Sequence, residues 1–486
     1  MAHTPHPSLI RERLRTIALF SLLVGAGILA TGCSSKPSAT AGGSSTGPVL
    51  VRIWRVGQPE DVIKDQIQTF ITKNGGPNVI QVTYDERDPA TYELDALESL
   101  SAQEGPDIWS IENDWIGDHI PQITPLPANY FYPRDNNGVK ETTGTSPADE
   151  VKQLYPAGIA DQLIGTDGSS VYGLPSAVDS LKLYVNTSLL TDAFQNYEKS
   201  LGDGATAEQI TPVQQLLSAP PATWLDLTQQ EKYINQISNG TINEATIALG
   251  TADNIQYSND ILQLLMMQNG AQIVSTDRRN ALFQIPATTA SGSSVVPGQL
   301  ALDFFTSFSN PSSSSYDWNP SMPDDLDAFG QGKVAMIIGY SDIAAQLKVK
   351  YPKLDFTVAP VPQISATGTP VNLIKFTVET VTKTANNTAA AFAFLNDYTD
   401  PSSISNLASQ ENLLSPYLST LNQNPTDPFV QQVLTGQAVY KKSHTQFDAA
   451  FRQMIVDVSQ DGIPSDQALD QGAESITELL QNDTSP

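Results

Sequence analysis

The sequence predicts an α/β fold built around two apolar cores, and three observations carry that expectation. Strand-like and helix-like segments alternate from Val49 onward, the pattern of a parallel sheet covered by helices. About 440 residues follow a small-residue spacer, more than one core accommodates, since single cores stop growing near about 250–300 residues. No internal repeat is present, which argues against a solenoid or a propeller.

The elements follow in order. Val49–Val56 reads as a buried strand, and Pro59, Glu60 and Asp61 then open a helix with proline early and acids in its positive first turn. Ile63, Ile67, Phe70 and Ile71 share one face of that helix. Asn78–Tyr84 is a second strand, Tyr92 to Leu100 a second helix, and Gly105 with Pro106 stops it before the strand Asp107–Ile111. Pro121–Tyr155 reads as irregular surface and Tyr172–Asn186 as a long strand-like run, followed by mostly helical segments through Gly270. Ser258, Asn259 and Asp260 are candidate N-caps for the apolar run Ile261–Met267, and Ser312–Ser315 is a loop. Val334–Ile338 and Phe356–Val361 read as strands, Asn387–Asp397 as a helix, and Phe447, Phe451, Met454, Ile455 and Val458 mark an amphipathic helix.

The N-terminus bears an export pattern. Arg11, Arg13 and Arg15 precede an apolar run from Ile17 to Ala30, shorter than the ~20 residues that span a bilayer and followed by small residues suited to cleavage. Ala30, Thr31, Gly32 and Cys33 resemble the lipobox of bacterial lipoproteins, with Ala30 where that group prefers leucine. The resemblance implies removal of residues 1–32 and lipid on Cys33, with a plain secretory signal or an uncleaved anchor as the alternative. Cys33 is the one cysteine of the chain, so no intrachain disulfide forms. Residues 33–48 would serve as a flexible spacer.

Charge and inventory narrow the function. The formal net charge of −26 becomes about −28 once residues 1–32 are gone, and no basic run or stripe is present, so nucleic acid is not an expected partner. His119 and His444 are the two histidines beyond the export segment, too few for a three-histidine zinc site, and H-E-x-x-H is absent. No G-x-S-x-G elbow, S-x-x-K or Gly-rich phosphate loop with lysine occurs. Paired carboxylates of a glycosidase stay open, because that chemistry needs only two acids. Asp135, Asn136 and Asn137 before Gly138 read as a turn, with calcium as the alternative. No cofactor or metal is expected.

Several stretches resemble extracellular solute-binding proteins of the sugar-binding class, the group that includes maltose-binding protein. They are Pro106–Trp109 with Asn113–Trp115; Tyr172–Pro175 running on to Asn186; and Pro221, Thr223, Trp224, Asp226 and Leu227. Phe329, Gly332, Lys333, Val334, Ala335 and Met336 follow, then Val358–Pro362, then Lys383 to Leu395. The resemblance implies a two-lobe periplasmic-binding-protein-like fold (type II), each lobe a mostly parallel sheet flanked by helices, with a cleft between lobes that closes on a hinge. Lobe one is expected over 49–175 plus 363–412 and lobe two over 176–362 plus 413–486. It also implies a receptor, expected as a monomer, that captures a small ligand outside the cell and delivers it to the permease subunits of an ABC importer.

A saccharide offers hydroxyls that pair with Asp, Glu, Asn and Gln, and C–H faces that stack on Trp and Tyr. Glu112, Asn113, Asp114 and Trp115 have that composition and follow a strand's carboxyl end, where such folds bind ligands. In the resemblance Asp114 falls where maltose-binding relatives place a sugar-binding aspartate, while Trp115 replaces a basic residue. Gln58 follows the first strand into the same region, and Ser176 and Asp179 lie at the first crossover. Tyr340 and Ser341 follow Gly339, where relatives carry a stacking tryptophan, and Trp318 is expected as an exposed aromatic beyond the serine tract. The bland alternatives are an edge-covering Trp115 with solvated acids, a turn-capping Gln58 and a packed Trp318. A polyol, a peptide or a cationic amine remains open beside a saccharide, and a non-transport surface protein beside a receptor.

Overall fold

In the computed structural model, which describes residues 47–56, 60–133, 140–289 and 292–482, the expected alternation becomes two sheets. The export segment, Cys33, Gln58 and the Asp135–Gly138 turn lie outside the described residues. The strands are β1 (Val49–Val56), β2 (Ile80–Arg87), β3 (Ile108–Glu112), β4 (Ile123–Thr124), β5 (Leu174–Ser180), β6 (Lys182–Val185), β7 (Gln236–Ser238), β8 (Thr241–Ile247), the short pair β9 (Ala287–Thr288) and β10 (Ser294–Val295), β11 (Val334–Gly339), β12 (Thr357–Pro360) and β13 (Ile374–Thr382). The first sheet runs β2-β1-β3-β13-β4, with β5 also on β13, and the second β12-β6-β11-β8-β7.

Parallel pairing holds for β1 with β2 and β3, and for β8 with β11. Strands that arrive from the other lobe break it. β13 enters the first sheet antiparallel to β3 and β5, and β6 lies antiparallel to β11 and β12. Both sheets are therefore mixed, and less parallel than expected.

Each sheet carries its own core. The first gathers buried residues from Val51 to Val178 and from Ile374 to Val433, and the second from Leu181 to Leu373 and from Val439 to Leu480. The chain thus crosses between lobes three times, at 180–182, 373–374 and 434–439. Each crossing lies further along the chain than 175/176, 362/363 and 412/413. Tyr172–Asn186 is the reason for the first difference: its periodicity continues from β5 into β6 although the two strands belong to different sheets.

Local chemistry fixes the element ends. Thr223 and Asp226 form a reciprocal capping box, with Thr223 N–H donating to Asp226 Oδ2 at 3.0 Å and Asp226 N–H to Thr223 Oγ1 at 3.1 Å, which starts the helix Trp224–Ile234. Gly173 has φ +152, and a Cβ there would lie 2.6 Å from Val378 Cγ1, so glycine alone lets β5 approach β13. Two expectations change. Pro121–Tyr155 contains the helix Pro147–Leu154, capped by Ser146. Tyr257, not the Ser-Asn-Asp triplet, occupies the N-cap position of the helix Ser258–Gln268, without a side-chain cap, and the triplet lies buried in its first turn.

Candidate functional site

β3 ends at Glu112, and the short 3-10 turn Asn113–Trp115 carries the chain off the sheet's carboxyl edge. Glu112 is exposed. Asn113 is buried and its Oδ1 accepts the Phe376 N–H at 2.9 Å, which locks the turn to β13. Asp114 follows, 5% exposed.

From that position Asp114 reaches a lattice of charges drawn from both lobes and from the crossings between them. Lys441, just past the third crossing, lies 3.1 Å from Asp114 Oδ2, 2.7 Å from Asp448 Oδ1 and 3.9 Å from Asp260 Oδ1. Lys375, at the start of β13, lies 3.1 Å from Asp260 Oδ2 and 3.8 Å from Asp114 Oδ2. Asp260 belongs to the second lobe through the helix Ser258–Gln268. The two lysines thus tie an aspartate of each lobe to the hinge. Lys375 also lies 5.2 Å from the Tyr340 ring centroid, which brings Tyr340, after β11 of lobe two, onto the same group as Asp114.

The lattice sets its own protonation. Burial alone would raise the Asp114 carboxyl, but Lys441, Lys375 and His444 together outweigh it and hold it at about 2. Burial likewise works to lower Lys375, and Asp260 and Asp114 reverse it, so its ammonium is held charged well above the usual range. Buried acceptors remain: Asp114 Oδ1, Gln263 Oε1 and the Tyr340 hydroxyl have no hydrogen-bond partner among the described residues. A buried polar atom left unpaired costs about 1–3 kcal/mol, so these atoms are candidate contacts for a ligand that supplies hydrogen bonds. Asp114 and Gln263, with Asp260, Lys375, Lys441 and the apolar Leu373 and Val439, enclose a recess of about 10 Å3.

The other expected residues divide. Asp179 and Ser341 meet each other: the Ser341 N–H donates to Asp179 Oδ2 at 2.7 Å and its hydroxyl to Oδ1 at 3.0 Å, with Lys182 against both. They form a contact beside the first crossing. Trp115 is half-buried and stacks on His444 at 5.4 Å and 25°, so its indole face is engaged by protein. Ser176 is fully buried and donates to Glu379 Oε1 at 2.8 Å, in a network with Arg55 and Ser110; it serves the core of lobe one and not the cleft. Trp318, expected exposed, is fully buried with its Nε1 donating to Asn254 Oδ1 at 3.1 Å. The irregular stretch around it folds over the ring.

Sequence reasoning missed Lys375, Lys441, Asp260, Gln263 and Asp448. The signal for Asp260 was present as polar residues opening a mostly apolar helix. The lysines had none, because neither belongs to a motif or follows a recognisable strand end.

Two α/β lobes, three crossings and a buried polar cluster between them define a two-lobe ligand-binding protein. The model of the bacterial extracellular solute-binding protein family matches residues 65–432, and the chain belongs to that family. It is an extracytoplasmic family of binding proteins. A galactooligosaccharide-binding protein of Bacillus subtilis is 24% identical over 197 residues, 39% of this chain and 41% of that relative. Among solved structures, the cyclic alpha-maltosyl-1,6-maltose binding protein from Arthrobacter globiformis superposes with a TM-score of 0.65 at 17% identity, covering 90% of this chain and all of that one. The sugar-binding protein MalE from Xanthomonas citri gives 0.63 at 17% identity, over 89% and 97%. No helix among the described residues is long and apolar enough to cross a membrane.

Proposed function

We propose that this chain is the receptor of an ABC importer, tethered outside the cell by lipid on Cys33, and that it holds a neutral oligosaccharide between its lobes as a monomer. The observation that carries this reading is the set of buried, unpartnered polar atoms on Asp114, Gln263 and Tyr340, contributed by both lobes around Lys375. Sugar hydroxyls supply what those atoms lack, and Tyr340 adds an aromatic face. A relative named for galactooligosaccharides and a structural neighbour named for a cyclic maltosyl-maltose point to the same ligand class. The recess admits no sugar ring, so entry requires the lobes to part about the crossings, and contacts made on re-closure favour the closed state.

Catalysis is not part of the proposal. The family that the chain matches is one of solute-binding proteins, and the solved structures it resembles are named as binding proteins. A thermal-shift panel of maltooligosaccharides and galactooligosaccharides, followed by chromatography of the recovered sugar, tests the reading. A ligand at 100 times its Kd adds about 2.7 kcal/mol to stability, so a clear shift and intact sugar are expected. No shift with any member, or cleaved sugar, would overturn it.

A further inference from the structure

The two histidines beyond the export segment share one carboxylate at the junction of the lobes. His119 Nε2 lies 2.8 Å from Glu93 Oε1, and His444 Nε2 lies 3.6 Å from Glu93 Oε2. Glu93 stands on the helix Tyr92–Ser101 and Asp118 on the turn of helix Ile116–His119, both in lobe one. His444 opens the helix His444–Ser459, whose Phe447, Phe451, Met454 and Ile455 belong to the core of lobe two. Asp118 caps that helix from across the boundary. Its Oδ2 accepts the His444 N–H at 2.9 Å and meets His444 Nδ1 at 2.7 Å, and its Oδ1 accepts the Ser443 N–H. Trp115 stacks on the His444 ring from lobe one.

We propose that this junction is a proton-operated latch, which holds the cleft shut while His444 is protonated and frees it as the pH outside the cell rises. The latch rests on the two-lobe receptor reading for its meaning but requires no particular ligand.

The chemistry follows from the two ring nitrogens. A neutral imidazole that donates from Nδ1 to Asp118 leaves Nε2 as an acceptor, 3.4 Å from the Thr445 hydroxyl, and brings no charge to offset Glu93 at 3.6 Å. The imidazolium donates from Nδ1 to Asp118, sets its charge 3.6 Å from Glu93 Oε2, and presents a cation to the face of Trp115. Burial opposes that charge. The Asp118 hydrogen bond, Glu93 and Asp114 outweigh it, and the His444 value rises above its ordinary range. Asp118 stays ionised, since the His444 contacts overcome the effect of burial and hold its carboxyl down.

The groups facing His444 from lobe one are therefore Asp118, Glu93, Asp114 and His119. On its own segment lie Lys442 and Lys441, the latter matched by Asp114 and Asp448. Three of the four lobe-one groups are acids, and they move away from the ring when the lobes part. The protonated ring is thus better stabilised in the closed form, so closure takes up a proton. The latch is fully engaged below the His444 value of the parted form and is lost as pH rises through the raised value of the closed form.

Hydrogen exchange on the full chain without added sugar tests this at the Ser443 and His444 amides, whose acceptor is Asp118. After correction for intrinsic exchange, protection should be at least about threefold greater at pH 6 than at pH 8.5, because local opening is linked to the proton. His444→Gln should abolish the difference. Should that variant not fold, Glu93→Gln, which leaves the Asp118 cap in place, decides: a diminished difference supports the latch and an undiminished one overturns it. Equal protection at both pH values in the unaltered chain, or an unchanged difference in His444→Gln, also overturns it. Since no sugar is present, the outcome is independent of saccharide binding.

Discussion

Asp114 carries opposing demands, because it must stay charged while nearly all of its surface is covered. Lys441 and Lys375 meet that demand, and they tie it to stability. Its carboxyl falls from an ordinary 3.8 to about 2 on folding, so the stabilisation is present above pH 4 and is lost as pH falls through 2. The contribution is about 2 kcal/mol at neutral pH. Asp114→Asn, measured by denaturant unfolding from pH 7 to pH 2, should cost about that much at pH 7 and flatten the acid limb of the profile. A variant with the original slope would mean that the lysines do not hold Asp114. Asp114 and Tyr340 were legible in the sequence because each follows a strand that could be recognised. Asp260, Lys375 and Lys441 were not, since what makes them a site is their convergence from a helix and two crossings far apart in the chain.

At the scale of elements, the site depends on how closely the short helix Ile116–His119 approaches the segment just past the third crossing. Gly117 makes that approach possible: a Cβ there would lie 2.1 Å from the Lys441 carbonyl oxygen, well inside contact distance. Gly117→Ala should therefore push Lys441 away from Asp114 and weaken sugar binding at least about tenfold, or about 1.4 kcal/mol, while the chain stays folded; calorimetric titration checks it. Elements with strong local periodicity were readable, among them β1, β3, β11 and the helices near Tyr92, Thr388 and His444. β8 was not, because Thr241–Ile247 alternates weakly and sits between helices. Yet it lies beside β11 and is held from the side by Asp317, which accepts the Thr246 and Ile247 N–H groups.

On the scale of the whole molecule, three crossings make each lobe discontinuous, and the lobes meet through charge and hydrogen bonds. Arg278 of lobe two adds a further contact, donating to the Ile164 carbonyl of lobe one at 2.9 Å and lying 4.4 Å over the Tyr440 ring. Polar contacts of this kind exchange readily with water, which suits lobes that must part. The proposed lipid tether can be tested apart from this machinery. Cys33→Ser should release the protein into the medium with its sugar affinity unchanged, as immunoblots of membrane and medium fractions would reveal; retention at the membrane would assign anchoring to the apolar segment itself. The central claim is that one ligand is gripped by both lobes. Its most direct test is calorimetric titration of the unaltered chain, Asp114→Asn and Asp260→Asn with whichever oligosaccharide gives the largest thermal shift. Folded variants that each lose at least about tenfold in affinity are the predicted result, and a folded variant of either lobe that binds as tightly as the unaltered chain would contradict it.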